Sequence, residues 1–428
     1  MSDDFSALPF RPADILLPQN CDLTLWSVVA CDQYTSQPEY WQRVEEQVGR
    51  APSTLRLILP ESSLDGPHVE TDIMDVNNTM SRYLREGRFS QLEHAMIYVE
   101  RTLHNGKVRR GLMGMVDLEQ YDYEAGSCAP VRATEGVVLS RIPPRVAVRK
   151  NAPIELPHAM LLCDDPRRTV IEPLAVQKDQ MDPLYDFPLM EDGGRVAGWR
   201  LGPSQLDQVA GALSRLADPS AFHTRYHTPP DTPVMLFAVG DGNHSLATAK
   251  ECYERQKRLT DPQRWDSLPA RFALCELVNL HDDSLEFAPI HRVVFHTDPQ
   301  ALLTALIHHY PGASRGRAAQ GQALHYVCAD GEGDITIPAP PFHLPVGTLQ
   351  LFLDEYLAGH AGRVDYIHGE DVARQFAARP GNIAFLLPAM DKESLFPSVI
   401  HDGALPRKTF SMGQANDKRF YLEARKIR

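Results

Sequence analysis

The chain has 428 residues, of which 43% are hydrophobic, so it is long enough to form two domains or one large domain with a sizeable core. It carries 43 basic and 56 acidic residues, which gives a formal net charge of −13. A protein that binds duplex nucleic acid needs a basic face that displaces counterions, so this balance argues against that class. A local basic pocket for a small anion remains compatible with the composition.

The sequence predicts a cytoplasmic protein that binds neither a membrane nor nucleic acid. Asp3 and Asp4 lie where a signal peptide would carry Lys or Arg, and no stretch approaches the roughly 18–20 apolar residues of a membrane span. The seven cysteines include no Cys-x-x-Cys pair, which argues against a disulfide framework and a zinc knuckle. The expected partner is therefore a small molecule, and the oligomeric state is left open.

Residues 1–200 predict a mixed α/β region that contains a β-hairpin. Two runs of alternating apolar residues flank Asn105-Gly106, a dipeptide that suits a turn with positive φ. The proline-containing segment 136–162 predicts a strand, a turn and a basic stretch. The boundary to the second region is expected near residues 195–205.

Residues 201–428 predict an α/β region with one helix within 203–219 and one within 348–360. Ser204 and Thr348 are expected to cap them, and Asp218-Pro219 and Gly359 to end them. The short apolar run 233–239 is typical of a central strand, and a helix is expected to start near 243–245. The fold class predicted for the whole chain is α/β, or α+β, with a mixed sheet and flanking helices.

The segment FAVGDGNHSLATAK, residues 237–250, places polar residues where this strand meets the helix. The first amides of a helix have no partner within the helix and, with the helix dipole, favour an anion. Glycines in the turn allow a ligand to approach the backbone closely, and an acidic residue there suits a general base or a metal ligand. The alternative is an ordinary helix cap, which this short motif alone favours. The candidate residues of the turn are Gly240, Asp241, Gly242, Asn243, His244 and Ser245.

Three further segments combine polar or cationic side chains with the ends of apolar runs. Polar residues at the end of a strand lie where open α/β sheets bind ligands, and cations interleaved with hydroxyl groups suit a phosphate or a carboxylate. In each case a solvated loop or a hydrogen-bonded surface residue is the simpler alternative. The candidate binding residues are Asp32, Gln33, Tyr34, His291, Arg292, Arg407, Lys408 and Thr409.

The segment VGDGNHSLATAK resembles the Asp-Gly-His-His-Arg motif of a bacterial and archaeal family known as domain of unknown function 1015 (DUF 1015). Three more segments resemble that family in the right order, namely ALPFRPADILLP, LEFAPIHRVVF and LPRKTFSMGQ. Together the four segments cover nearly the whole chain. The resemblance implies that Glu135, in VRATEGVVLSR, takes the place of the Glu of a His-Glu pair in the family and serves as a base or a metal ligand.

A weaker similarity connects Gly-x-His-Arg turns to the sulfiredoxin/ParB-like superfamily, some of whose members are free-serine kinases that hold nucleotide phosphates at a comparable helix start. In this sequence Asn243 replaces the first His and Ser245 replaces the Arg, which removes a bidentate phosphate clamp. Arg292, Arg407 or Lys408 would have to replace it. The similarity implies ADP or ATP with Mg²⁺ as cofactor and a small hydroxylated amino acid as substrate.

These observations favour a small-molecule enzyme of the phosphotransferase, or kinase-like, type. Asp241, His244 and Glu135 are its expected catalytic residues, and no protein metal site is expected. Two alternatives stay open: a regulatory protein that binds a metabolite without turnover, and a hydrolase or lyase of a phosphorylated or carboxylated compound. The sequence contains neither a Walker loop nor a Gly-x-Gly-x-x-Gly motif, which argues against a P-loop enzyme and a nicotinamide enzyme.

Overall fold

The computed structural model describes residues 4–35, 37–64, 66–124 and 126–428. The chain forms two compact units. Unit 1 comprises Met1–Leu285 together with Gln414–Arg428, and unit 2 comprises Glu286–Gly413. The polypeptide therefore leaves unit 1 once and returns to it for its last segment.

The strands, in chain order, are β1 Phe10–Arg11, β2 Ala13–Pro18, β3 Phe89–Ala95, β4 Ile97–Thr102, β5 Val108–Asp117, β6 Tyr121–Asp122, β7 Val131–Ala133, β8 Ile154–Glu155, β9 Met160–Cys163, β10 Asp182–Pro188, β11 Arg195–Arg200, β12 Phe237–Asp241, β13 Phe272–Asn279, β14 Phe287–Phe295, β15 Ser314–Arg315, β16 Gln322–Cys328, β17 Gly331–Ile337, β18 Arg363–His368, β19 Ile383–Leu386, β20 Phe410–Met412 and β21 Arg425–Lys426.

The α-helices, in chain order, are α1 Leu23–Trp26, α2 Pro38–Val48, α3 Val69–Arg85, α4 Ile142–Arg149, α5 Pro203–Leu216, α6 Pro219–Tyr226, α7 Asn243–Arg258, α8 Pro299–His309, α9 Pro345–Gly359, α10 Glu370–Ala377 and α11 Leu395–Asp402.

Unit 1 is built on a mixed sheet with the strand order β10-β11-β4-β5-β13-β9-β12-β7-β6, and β1 pairs with β5. Strand β12 runs parallel to β7 and antiparallel to β9. The predicted hairpin is confirmed: β4 and β5 pair antiparallel, and Gly106 in their turn has a φ of 80°. The mixed α/β fold class is confirmed as well. The boundary expected near 195–205 lies inside unit 1, because strands from both sides of it share this sheet.

Helices cover both faces of this sheet and create two hydrophobic cores. On one face α5 and α7 contribute Leu213 and Leu246, which pack in the same core as Phe237 of β12. On the other face α2, α3 and the C-terminal segment 420–427 form a second core, which includes Val99 of β4 and Phe420. Phe237 and Val239 of β12 are buried in the first of these cores, whereas Asp241 at its carboxyl end is partly exposed.

Unit 2 has its own sheet, with the strand order β15-β17-β16-β19-β14-β18, and β20 pairs with β14. Helix α10 packs on this sheet through Ala373 and Ala377, which are buried with Val293 of β14.

The two predicted helix caps are wrong. Helix α5 begins at Pro203 directly after Gly202, and the hydroxyl of Ser204 donates to Gln205 instead of capping. Helix α9 begins at Pro345, and the Thr348 hydroxyl donates to Gln322 at 2.8 Å. In both helices a proline at the first position sets the helical φ, and its missing N–H leaves no donor there to cap.

The segment 136–162 also differs from its prediction. Residues 142–149 form helix α4, whose first turn contains Pro143 and Pro144. Prolines are tolerated at this end of a helix, since the first N–H groups have no partner within it. None of the helices among the described residues combines the length and the apolar character needed to cross a bilayer.

Substitution of Leu213 with Ala tests the core beneath α5. Leu213 is fully buried, so loss of its side chain is expected to lower the free energy of unfolding by about 2–5 kcal/mol. Leu259→Ala is the matched control, because Leu259 is 90% exposed and its loss should change stability by less than about 0.5 kcal/mol. Urea denaturation followed by circular dichroism measures both, and equal effects would contradict the assignment of this core.

Candidate functional site

Gly242 joins β12 to α7 in a conformation that other residues adopt poorly. Its φ of 77° lies in the left-handed region, and a Cβ atom there would lie 2.8 Å from the Cα of Ala159. Its N–H donates to Oδ1 of Asp241 at 3.0 Å. The predicted strand–turn–helix is therefore confirmed, and both the backbone angle and the close contact with Ala159 require glycine.

The amides of Asn243, His244 and Ser245 form the first turn of α7. The helix ladder starts only at Leu246, whose N–H donates to the Gly242 carbonyl at 3.0 Å. Among the described residues, none of the hydrogen bonds involves the three preceding amides. Three N–H groups at the positive end of a 16-residue helix are thus available to an anion.

Asn243 ties this turn to the neighbouring strand β7. Its Oδ1 accepts from the Thr134 N–H and its Nδ2 donates to the Thr134 hydroxyl, both at 3.3 Å. Its side chain therefore has a structural role, and contact with a ligand through that side chain stays a prediction. Half-buried Glu135 directly follows Thr134, which places it beside the turn.

His244 is held as a neutral imidazole. Its Nε2 accepts from the Val138 N–H at 3.1 Å, so the ring proton is assigned to Nδ1. Burial lowers the pKa of His244 to about 4, and the nearby charges of Arg145 and Arg141 act in the same direction. At neutral pH His244 therefore supplies a hydrogen bond but no positive charge.

A chain of hydrogen bonds runs from Ser245 into the protein. The Ser245 hydroxyl lies 2.9 Å from Nε2 of His158, and Nδ1 of His158 lies 2.8 Å from the Tyr421 hydroxyl. The Tyr421 hydroxyl in turn donates to Sγ of Cys31 at 3.1 Å. Burial raises the pKa of the Cys31 thiol to about 12, so this cysteine is a neutral acceptor and not a nucleophile at neutral pH.

Asp32 is an ionised carboxylate at the edge of this chain. Its Oδ2 lies 3.9 Å from Nε2 of His158, and its Oδ1 accepts from Nε2 of Gln33 at 3.0 Å. Burial opposes its ionisation, but the charge of His158, the hydrogen bond from Gln33 and the charge of Lys418 together hold its pKa below the ordinary value. Because 30% of its side chain is exposed, Asp32 is both charged and accessible.

Asp241 forms an ion pair with Lys418. Its Oδ2 lies 3.1 Å from Nζ of Lys418, and both side chains are largely buried. Since Oδ1 also accepts from the Gly242 amide, both oxygens of Asp241 have a partner. Asp241 is therefore less accessible as a base than Asp32, and the pair places a cation beside the turn.

Sequence reasoning missed the residues that complete this site. Lys418 and His158 lie far from the turn along the chain, and no local pattern singles them out. Arg141 and Arg145, whose charges reach His244, pair with Glu61 at 3.7 and 2.7 Å. Both arginines lie in the basic stretch within 136–162, which is the sequence feature that could have identified them.

The third residue of the predicted group at 32–34 has a different environment. Tyr34 has a φ of 53° and stacks on Tyr40, with ring centroids 3.7 Å apart. This stacking commits one face of its ring to packing. Its contact with a substrate stays a prediction.

Arg292, in unit 2, is fully buried and stabilises the predicted loop at 405–409. Its guanidinium donates to the carbonyls of Lys408 at 2.7 Å and Arg407 at 3.0 Å. His291 is also buried, and its Nδ1 accepts from the Leu387 N–H at 3.1 Å.

Side chains of the same loop have partners within unit 2. Arg407 is exposed and donates to the hydroxyl of Tyr366 at 2.9 Å, and the Thr409 hydroxyl donates to the carbonyl of Pro406 at 2.6 Å. Lys408 is exposed, with a φ of 58°. Anion binding by the residues of this unit stays a prediction.

The described residues include no group of three or more His, Cys, Asp or Glu side chains that could hold a metal ion. Mg²⁺ is commonly held by one or two carboxylates together with substrate phosphates. A site that binds Mg²⁺ with a nucleotide therefore does not need a complete set of protein ligands.

The amino-acid sequence matches the model of a known protein family. The sequence model described as "Protein of unknown function (DUF1015)" matches residues 8–356. The chain belongs to this family. The match confirms the resemblance to this family and spans most of the chain, and the segment LPRKTFSMGQ lies beyond the matched residues. No curated protein matches the sequence.

Several solved structures are similar to this chain at low identity and low TM-score. A mutant free serine kinase in complex with ADP is 12% identical, with 75% of this chain and 93% of that chain covered and a TM-score of 0.39. A conserved hypothetical protein from Pyrococcus furiosus is 11% identical, with 75% of this chain and 96% of that chain covered and a TM-score of 0.35. SbnI with C-terminal truncation from Staphylococcus aureus is 8% identical, with 70% of this chain and 82% of that chain covered and a TM-score of 0.36. At these TM-scores the likenesses carry no argument about function.

Gly242→Ala tests the constraint at the turn. A side chain at this position meets both an unfavourable φ and the backbone of Ala159, so the free energy of unfolding is expected to fall by about 2 kcal/mol or more. Gly106→Ala is the control, because Gly106 has a φ of +80° but open space around its Cβ position. Chemical denaturation measures both variants, and a smaller loss for Gly242→Ala than for Gly106→Ala would contradict the steric argument.

His244 is expected to make stability depend on pH between about 6.5 and 4. Its pKa in the folded protein lies below the ordinary value of 6.5, so the unfolded chain binds more protons in this range. Its contribution is therefore present above pH 6.5 and is lost as the pH falls toward 4. His244→Gln keeps an acceptor for the Val138 amide but does not titrate.

Denaturation at several pH values should show a shallower loss of stability for His244→Gln than for the wild type. His308→Gln, at an exposed position of α8, is the control and should retain the wild-type slope. An unchanged slope for His244→Gln would show that His244 is not held neutral by the fold.

Proposed function

We propose that unit 1 is a small-molecule phosphotransferase whose phosphate-binding element is the first turn of α7. The observation that carries the proposal is the set of unpaired amides at 243–245, which face no acceptor among the described residues. A cation and an accessible carboxylate, Lys418 and Asp32, are coupled to the same turn. Phosphoryl transfer needs this combination of positioning and charge neutralisation more than it needs covalent chemistry.

In this proposal the amides of Asn243, His244 and Ser245 bind the oxygens of the transferred phosphoryl group. Backbone donors at a helix start suit such an anion because they are fixed before the ligand arrives and because the helix dipole adds a partial positive charge. The Ser245 hydroxyl supplies a further donor. Lys418 provides the cationic support for the phosphate, in the role that the sequence predicts for Arg292, Arg407 or Lys408. Lys418 belongs to the same unit as the turn.

Asp32 is the better general base of the two aspartates. It is ionised and 30% exposed, whereas both oxygens of Asp241 are already bound. Asp32 would accept the proton of the substrate hydroxyl as that oxygen forms its bond to phosphorus. The bond from phosphorus to the nucleotide oxygen breaks in the same step, and the nucleotide leaves with that oxygen. Glu135, beside the turn, stays a candidate for a second carboxylate.

ADP or ATP with Mg²⁺ is the donor that this proposal expects. The amides fit a nucleotide phosphate, and Glu135, beside the turn, is the carboxylate that would share an Mg²⁺ ion with phosphate oxygens. A small hydroxylated amino acid is the proposed acceptor, and a cytoplasmic location, where nucleotides are available, belongs to the same proposal.

One observation favours a second candidate function. The Ser245 hydroxyl lies 2.9 Å from a ring nitrogen of His158, which is the spacing of a nucleophile and its general base. The neighbouring free amides could then stabilise an oxyanion, as in an acyl-transfer hydrolase. A fluorophosphonate probe separates the two candidates, because only a hydrolase of this kind would be labelled at Ser245 and would lose that label in Ser245→Ala.

The phosphotransferase proposal is tested by incubating the protein with ATP or ADP, Mg²⁺ and serine, threonine or homoserine, and by following products with ³¹P NMR. Asp32→Asn should reduce product formation about 100-fold or more, because a general base contributes roughly 10²–10⁴-fold. Lys418→Met should weaken nucleotide binding, measured as the shift in melting temperature with pyrophosphate or ADP.

Asp186→Asn is the matched control, since Asp186 is an exposed aspartate of β10 that pairs with Arg195 at the surface, and its activity should equal that of the wild type. Nucleotide binding without any product would contradict the enzyme and favour the metabolite-binding alternative. Product formation that survives Asp32→Asn would exclude Asp32 as the base.

A further inference from the structure

A second cationic site lies within unit 1, and its lining contains none of the residues of the turn of α7. We call it the arginine pocket, and its charged and aromatic lining consists of Arg101, Arg109, Glu276, Arg419, Phe420 and Glu423. Each of these residues is at most 6% exposed. The pocket opens into the core that contains Val99 and Phe420, whereas α7 packs in the other core of the sheet.

The sheet itself creates the charge imbalance in this pocket. In the antiparallel pair of β4 and β5, Arg101 lies directly opposite Arg109. Like charges at opposed positions destabilise a strand pair, and here both side chains are buried. With Arg419, three arginines line the pocket against the two glutamates, and the buried carboxylate of Asp417 supplies further counter-charge to Arg101 from outside the lining.

The arginines differ in how far their donors are used. Arg419 is bound by Glu276, Glu423 and the carbonyl of Pro157. Arg109 donates through Nη1 to the carbonyl of Asp417 at 2.9 Å.

Arg101 donates through Nη2 to the carbonyl of Asn416 at 2.9 Å. Among the described residues, Nε and Nη1 of Arg101 are buried without a hydrogen-bond partner. Nε of Arg109 also makes no hydrogen bond, but it lies 3.6 Å from Oε1 of Glu276, which is itself without one. Unpartnered donors on buried charged groups are costly, so they point to a ligand.

The electrostatics of the pocket agree with this geometry. Burial, and then repulsion from Arg109, lower the pKa of Arg101 to about 9. Arg101 thus keeps its charge at neutral pH, and the carboxylates of Asp417 and Glu276 offset only part of the effects of burial and repulsion. Its guanidinium also lies over the ring of Phe420, 4.9 Å from the centroid, which excludes water from one face.

We propose that the arginine pocket binds one small monovalent anion, of the size of chloride, bromide or formate. The cavity measures about 20 Å³, which is room for about one water-sized solute, so a nucleotide or a phosphorylated metabolite does not fit. The anion accepts from the free Nε and Nη1 donors of Arg101 and adds counter-charge to that side chain. In a partly apolar, low-dielectric surrounding such a charge-assisted contact is strong.

The anion would also order the segment that returns to unit 1. Arg101 and Arg109 bind the carbonyls of Asn416 and Asp417, and Lys418 follows directly. The pocket thus links anion binding to the position of Lys418 in the candidate site. This assignment uses different residues from the proposed function and does not depend on it.

The test measures the melting temperature of the full chain in sodium bromide, chloride, formate and gluconate at equal ionic strength. The small anions should raise the melting temperature saturably, by about 2 °C or more over gluconate, because they bind only the folded state. Arg101→Met keeps packing on Phe420 but removes the charge, and it should abolish the difference between anions. Arg195→Met is the control, as Arg195 is half exposed on β11, and it should keep the wild-type response.

Crystals grown with bromide give a second readout that does not depend on a variant folding. An anomalous peak within hydrogen-bond distance of Nε or Nη1 of Arg101 supports the site. Water alone in the pocket, or bromide bound only elsewhere, overturns it. An equal response to gluconate and bromide, or a response that persists in Arg101→Met, overturns it as well.

Discussion

The contact between Gly242 and Ala159 is the constraint on which the candidate site depends. A Cβ at residue 242 would lie 2.8 Å from the Cα of Ala159, so only glycine lets α7 start this close to β9. That approach brings Ser245 within 2.9 Å of His158, the residue that precedes Ala159. The left-handed turn also leaves the first three amides of α7 without acceptors among the described residues. The close contact at Gly242 therefore accounts both for the three free amides of α7 and for the polar side chains beside them.

The buried ionisable side chains around the turn differ in their charge at neutral pH. Burial keeps His244 uncharged and the Cys31 thiol protonated, whereas Asp32 stays ionised because His158, Gln33 and Lys418 outweigh its burial. The fixed donors of α7 supply positive potential at the turn, and Lys418 adds a cation beside it. Such preorganised donors keep their strength in a water-poor site and need little reorganisation during a reaction.

Much of the fold near the site could be predicted from local sequence, because the signals are local. An apolar run followed by Gly-Asp-Gly predicts the strand, the turn and the helix start, and Asn105-Gly106 predicts the hairpin. Ser204 and Thr348 failed as caps because prolines set the actual helix starts. His158 and Lys418 carried no local signal, since only the strand order of the sheet and the return of the C-terminal segment bring them to the turn. Arg292 lies in a motif that predicts anion binding, but its local sequence gives no sign that the side chain is fully buried and bound to carbonyls.

The central claim is that the amides of residues 243–245 bind a phosphate-containing anion. A crystal of the full chain soaked with pyrophosphate measures this most directly. The account predicts tetrahedral density within hydrogen-bond distance of those three N–H groups, with a phosphate oxygen near the Ser245 hydroxyl. Density found only at other positions, or a first turn of α7 whose amides are bound by the protein's own atoms, would contradict it.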